Sequence, residues 1–423
     1  MSYPTKTIRE VTEKLIDYRG KTPAKTASGI KLITAKVIKD GFIVEGDHEY
    51  IAAGQYDGWM RRGLPQQWDI LITTEAPLGE VAQLRTPEKV ALAQRVILLR
   101  GNSSIIDQDY YFHALKSPVV QGGLKARSSG TTVLGIKQSE LWNVEIPCPP
   151  LKTQKRIASI LSAYDDLIEN NTRRINILEE MAQMIYREWF VNFRFPGHQA
   201  MKVSNLAGLV GPETWERVSV GDVCTSVDDG DWIETKDQGG TDYRLLQISN
   251  IGVNRFLETN NFRFITEDTF GRLNCKEVIP SQILVARMPT PIGRAWLVTR
   301  QPWKMVTAVD VAILTPNPSR ATAAFLLHFF NSNETLASYA AKQSGTTRPR
   351  ITRSQIAATP LLLPPIDLQS RFAEVSEPIN QQIAVLLRLN KNLQEARDLL
   401  LPKLISGEIK VVHHEAVPAA QAS

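Results

Sequence analysis

Three cysteines among 423 residues, Cys148, Cys224 and Cys275, are too few and too scattered for a disulfide framework or a CxxC metal pair. A reducing compartment, the cytoplasm, is therefore expected. No apolar run approaches the roughly 18 residues that a membrane span needs. The opening MSYPTKTIREV also lacks the apolar centre of a signal peptide, so no membrane partner is expected. The six histidines (His48, His113, His198, His328, His413 and His414) have no ligand spacing with cysteines or carboxylates, and no metal site is expected. Gly20-Lys-Thr22 carries the last letters of a phosphate-binding loop, but Leu15 stands where its first glycine is required. An Asn-Pro-Pro-Tyr motif and a Gly-rich strand-to-helix turn are both missing, which argues against an amino-methyltransferase site. Glu408-Ile-Lys410 matches the end of a nuclease motif in letters only, without the upstream acid. No catalytic residue is assigned. Net charge +5 and pI near 9.0 permit a nucleic-acid partner without demanding one.

What the chain does have is a long apolar seam. Ile157, Leu161, Tyr164, Ile168, Asn171, Ile175, Leu178, Ala182, Ile185 and Trp189 alternate spacings of four and three, with no Gly or Pro between them. Such a repeat predicts a helix running along a partner helix. Roughly 33 residues at about 1.5 Å each give a rod of ~50 Å, too long for one small domain to bury. The same seam recurs 215 positions on, from Phe372 through Ile383 and Asn390 to Arg397 and Leu404. An antiparallel pairing with Asn171 facing Asn390 brings Ile157 to Leu404, Ile168 to Leu393 and Trp189 to Phe372. A buried Asn pair is a known way to fix register. Asp165 and Asp166 fall between seam positions and are expected to face outward.

The duplication extends through the chain. Ser129-Gly-Thr-Thr132 recurs as Ser344-Gly-Thr-Thr347, and Pro149-Pro-Leu-Lys-Thr-Gln154 as Pro364-Pro-Ile-Asp-Leu-Gln369. Asp69-Ile-Leu-Ile-Thr73 with Pro77 and Gly79 matches Gln282-Ile-Leu-Val-Ala286 with Pro291 and Gly293. Short β-branched runs bounded by Gly, Pro and Asn predict strands, and stretches such as 323–330 and 110–115 predict helices between them. The expected fold class is α+β: two similar mixed α/β globular parts joined by two long helices that form an antiparallel intramolecular coiled coil, pseudo-twofold overall. The boundaries read as 1–150 for the first globular part, 151–195 for the central helix, 196–365 for the second part, 366–410 for the C-terminal helix and 411–423 for a disordered tail. Residues 200–212 read as a linker.

Basic loops are the candidate binding elements. Lys125 and Arg127 precede the first Gly-Thr-Thr; Lys342, Arg348 and Arg350 flank the second. Small residues allow close backbone approach, and arginine reaches phosphate or guanine. The stretch from Tyr56 to Gly63 mixes Trp59 with Arg61 and Arg62, as a DNA-facing loop does, although Trp59 reads equally well as core. Arg19, Lys21, Lys36, Arg287 and Arg294 are further candidates.

These segments, taken in order, resemble the specificity (S) subunit of type I restriction–modification systems. The likeness rests on Tyr18-Arg-Gly-Lys-Thr-Pro23, Tyr56-Asp-Gly-Trp-Met-Arg-Arg-Gly63, Pro149-Pro-Leu-x-x-Gln154, Asn170-Asn-x-x-x-Ile175, Trp215-Glu216 with Gly221-Asp-Val223, and Pro402-Lys-Leu-Ile-Ser-Gly407. It covers essentially the whole chain. The resemblance implies two target-recognition domains that read a bipartite, asymmetric target in double-stranded DNA, with the helices setting the unread spacer. It implies docking of two modification (methyltransferase) subunits and of restriction (endonuclease/translocase) subunits. S-adenosylmethionine, ATP and Mg would sit on those partners, with no cofactor on this chain and no catalysis by it. The competing expectation is a non-catalytic coiled-coil scaffold joining two protein-binding domains.

Overall fold

The computed structural model describes residues 3–18, 22–44, 46, 48–198, 202–206, 209–259, 261–343 and 349–411. The chain forms two compact units, one of Met1–Asn170 with Asn390–Ser423 and one of Asn171–Leu389. This division differs from the linear one expected above. Each β-rich part shares its unit with portions of both long helices, because their apolar faces enter its core.

In the first unit an antiparallel sheet runs in the order Thr12–Asp17, Val96–Gly101, Ile70–Thr74, Leu78–Gln83. Its two central strands are apolar at successive positions because both faces are covered. Ile70, Ile72, Ile97 and Leu99 join a core with Tyr110, Leu115 and Leu161, whereas Leu71, Val96 and Leu98 join another with Leu32, Ile38 and Val90. The second core lies under a small mixed sheet, with Ile30–Ile33 antiparallel to Glu49–Ile51 and parallel to Val90–Leu92. Helices Gln108–Lys116 and Pro118–Ala126 start at Asp107 and Ser117, whose side chains accept from Tyr110 N and Val120 N.

The second unit repeats this plan. Its sheet order is Cys224–Asp229, Val311–Pro316, Ile283–Ala286, Ala295–Leu297, and its small sheet has Tyr243–Leu246 between Phe264–Ile265 and Lys304–Thr307. Helices Ala323–Phe330 and Asn333–Lys342 are capped by Thr322 and Ser332.

The central helix spans Leu151–Tyr186 and passes into a π-helical turn at Arg187–Val191; the C-terminal helix spans Ile366–Ser406. The repeated Pro-Pro-x-x-x-Gln has a physical role at both starts. Buried Gln154 accepts from Asp107 N at 2.8 Å and donates to the Pro149 carbonyl at 2.7 Å. Gln369 accepts from Thr322 N at 2.9 Å and donates to the Pro364 carbonyl at 2.8 Å. Each glutamine thus ties the first turn of a long helix to the cap of a globular helix.

The helices pair antiparallel within each unit. Ile157 and Leu161 share a core with Leu401 and Leu404 in the first unit. In the second, Ile175 and Leu178 cluster with Ile379, Ile383 and Leu386, and the Trp189 and Phe372 rings lie 6.0 Å apart. Asn171 and Asn390 are both buried and fall on either side of the division between units; the Asn390 amide donates to the Ile168 carbonyl at 3.3 Å.

Two expectations are corrected. Asp165 does not face outward: it is fully buried and bonded to Arg397. In the first unit the central helix meets both the C-terminal helix and helix Gln108–Lys116, so a second face is covered beside the seam. Within the expected linker, Val203–Leu206 and Leu209–Pro212 pair as an antiparallel hairpin. The tail beyond residue 411 lies outside the described residues.

Candidate nucleic-acid interface

The first basic loop is held by its own backbone. Ser129 and Gly135 exchange both main-chain hydrogen bonds at 2.9 Å, and Ile136 N–H donates to the Thr74 carbonyl at 3.0 Å. The loop is thereby pinned beside the turn at Glu75–Leu78, between sheet strands Ile70–Thr74 and Leu78–Gln83. Lys125 and Arg127 are exposed at its start, with Arg127 3.7 Å from Glu140.

At the second loop, Lys342 and Arg350 are exposed, the latter 3.9 Å from Asp310. Ser344 to Arg348 lie outside the described residues, as do Arg19 and Lys21.

Arg287 and Arg294 are not surface contacts. Arg287 is buried, donating to the Ile351 carbonyl at 3.0 Å and to Asp229 at 2.8 Å. Arg294 is buried too, donating to the carbonyls of Ile251, Pro289, Pro291 and Ile248 at 2.6, 2.6, 3.1 and 3.1 Å. A guanidinium committed to internal carbonyls ties loops together and leaves little to offer a ligand.

The Tyr56–Gly63 stretch is half structural. Residues Tyr56–Trp59 form a short helix with Tyr56 and Met60 buried. Trp59 stacks on Tyr18 at 5.4 Å and donates its indole N–H to the Leu92 carbonyl at 3.0 Å, which favours its core reading. The Arg62 guanidinium lies 5.8 Å from the Tyr18 ring and reaches the Asp17 carbonyl. Arg61 and Lys36 are exposed.

Sequence reasoning did not single out Trp232, which is 71% exposed with its indole N–H 3.3 Å from Glu234.

Away from these loops the first unit encloses a charged cluster. Arg397 lies 2.6 Å from Asp165, with Lys116 at 3.8 Å and His113 at 3.9 Å from the same carboxylate. Burial alone would raise the Asp165 carboxyl, but Lys116, His113 and Arg397 hold it below the ordinary value. Burial pushes the His113 imidazole down to about 3 despite Asp165 nearby, and lowers the Lys116 amine. The repeat places His328 and Asn380 at the corresponding points of the second unit, 3.5 Å apart, with Tyr186 and Phe372 against the imidazole. Among the described residues no group of three His, Cys, Asp or Glu side chains could hold a metal ion, and no helix is long and apolar enough to cross a membrane.

The type I restriction modification DNA specificity domain matches residues 5–180 and 212–395. The MjaIX type I restriction enzyme specificity subunit of Methanocaldococcus jannaschii is 25% identical over 344 residues, covering 81% of this chain and 78% of that one. The MjaVIII specificity subunit of the same organism is 24% identical over 354 residues, covering 81% and 79%. Among solved structures, the type I restriction–modification S subunit from M. genitalium shares the fold, with a TM-score of 0.54 at 14% identity over 96% of each chain. This chain belongs to the family of type I restriction–modification DNA specificity proteins.

Proposed function

We propose that this chain reads a bipartite, asymmetric target in double-stranded DNA for a type I restriction–modification complex, one half-sequence through each β-rich part. The observation that carries the reading is a duplicated frame with divergent surfaces. Both units keep the sheet order, the glutamine lock at the helix start and the bond made by Ile136 or Ile351 at the end of the loop, while the loop sequences leading to those residues differ. Two different reading surfaces on one repeated frame suit two different half-sequences. Exposed Lys125, Arg127, Lys342 and Arg350 supply cations for phosphates or guanine edges.

The long helices set the unread spacer and dock two modification subunits, and the complex takes up restriction subunits. Methylation of a base needs that base extruded from the stack, which falls to the modification subunits with their S-adenosylmethionine. ATP and Mg belong to the restriction subunits. This chain contributes recognition and assembly, in the cytoplasm where the host DNA lies.

Co-expression with the modification subunits and mapping of methylated bases tests the reading. A split motif with a spacer of fixed length is expected, and exchanging one β-rich part should change one half of it. An assembled complex that methylates nothing would favour the protein-binding scaffold instead.

A further inference from the structure

The equivalent loops of the two halves close on the same bond and differ in the sequence that leads to it. Ser129-Gly-Thr-Thr132 continues as Val133-Leu-Gly-Ile136, and Ser344-Gly-Thr-Thr347 as Arg348-Pro-Arg-Ile351. The closing residue makes the same bond in each: Ile136 N–H to the Thr74 carbonyl at 3.0 Å, Ile351 N–H to the Arg287 carbonyl at 3.2 Å. Ahead of that shared bond, one sequence is aliphatic and the other cationic.

In the first unit the backbone is shaped to present the aliphatic pair. Gly130 has φ +115°, and a Cβ there would lie 2.1 Å from the Val133 carbonyl oxygen, so only glycine lets the chain fold back at this point. The reciprocal bonds between Ser129 and Gly135 close the turn. Val133 and Leu134 are then 53% and 46% exposed, while Ile136 is buried. Side chains held out by a closed turn lose little freedom on contact, which favours binding. Exposed Lys125 and Arg127 lead into the same turn, so the partner that suits the tip is a polyanion with apolar groups along its face.

We propose that Val133 and Leu134 are specificity-determining contacts of the first unit, packing against the C5-methyl group of thymine in the major groove of its half-sequence. Thymine is the one base that presents a methyl there, and aliphatic side chains are suitable partners for it. The inference rests on the DNA-reading role proposed above. The second tip, with exposed Arg350, carries donors rather than methyl-sized apolar surface and suits guanine or phosphate.

The test uses the complex assembled with its modification subunits and duplexes carrying the mapped target. Each thymine of the first half-sequence is replaced in turn by uracil, which removes only the methyl group. Wild type is expected to lose about fourfold in affinity at one position, the factor for burial of one methyl-sized group. The V133S/L134S variant should bind the thymine target correspondingly less tightly and be indifferent to uracil. Its salt dependence should stay that of wild type, since no charge changes. The inference is overturned if wild type tolerates uracil everywhere, if the variant remains sensitive, or if the first half-sequence contains no thymine. A complex that methylates no split target would overturn the DNA reading itself, so the two failures are distinct.

Discussion

The Arg397 guanidinium lies 2.6 Å from the Asp165 carboxylate, both side chains buried, and so joins the C-terminal helix to the central helix inside the first unit. The repeat places Ala182 and Asn380 at the equivalent positions, so the second half uses no such pair. Removing Arg397 takes away the closest partner of the buried carboxylate and leaves it the longer contacts to Lys116 at 3.8 Å and His113 at 3.9 Å. Arg397→Met should lower stability by about 3–5 kcal/mol. Asp165→Asn combined with Arg397→Met removes this pair but leaves the buried Lys116 amine without its carboxylate, so the double variant should lose less than the sum of the two single losses. Urea unfolding of wild type, Asp165→Asn, Arg397→Met and the double variant reads this out; additive losses would mean that the two groups are not coupled.

Two buried histidines make stability depend on pH. Burial pushes His113 down to about 3 and His328 down to about 4, below the ordinary value of 6.5. Between those values and 6.5 the unfolded chain binds more protons than the folded one. Stability therefore falls as pH drops through that window, by up to about 1.4 kcal/mol per pH unit for each histidine. Asp165, held below its ordinary 3.8, adds a loss only below that pH. His328→Leu should flatten the slope between pH 4 and 6.5 by one histidine's share in unfolding midpoints. An unchanged slope would show that His328 does not take up the proton.

The periodic features were legible in the sequence, and the contacts between distant loops were not. The seam from Ile157 to Trp189 and its repeat predicted both long helices because a 3.5-residue spacing is written locally. The same periodicity marks only one face of a helix, so Asp165, between seam positions, reads as outward-facing although it is buried. The roles of Arg287 and Arg294 depend on carbonyls up to 64 positions away, such as that of Ile351, and nothing beside either arginine in sequence signals them. The hairpin of Val203–Leu206 with Leu209–Pro212 is not legible in sequence because its strands are only four residues long and the second ends in Gly211 and Pro212, which read as turn residues. Between the two readings that the sequence leaves open for Trp59, the fold favours the core one, stacking it on Tyr18 beside the buried Tyr56.

The buried and exposed arginines should separate in experiment. Lys125→Ala with Arg127→Ala should leave the unfolding midpoint nearly unchanged, because both side chains are exposed. The same variant should weaken DNA binding by the assembled complex and reduce the slope of log affinity against log salt by roughly one per lost phosphate contact. Arg294→Ala should instead destabilise the second unit, since several buried carbonyls lose their donor. Salt titrations of binding alongside thermal melts distinguish the cases. A normal melt for Arg294→Ala with a reduced salt slope would return that residue to the DNA surface.

The helices offer a test by length. Ile157 shares a core with Leu404 in the first unit, and the Trp189 ring lies 6.0 Å from that of Phe372 in the second. Both pairings follow one antiparallel register, so a whole heptad added to each helix keeps every seam residue facing a seam residue. Seven residues inserted near Asn176 and seven near Lys391 lengthen each helix by about 10 Å. At ~3.4 Å per base pair, the spacer in the methylated motif should grow by about three base pairs. The two half-sequences should stay as they were, because neither β-rich part is altered. Inserting only three residues in each helix serves as the control: it rotates the seam and should weaken assembly rather than lengthen the spacer cleanly. A spacer that keeps its original length in the seven-residue variant would mean that the helices do not set the distance between the reading surfaces.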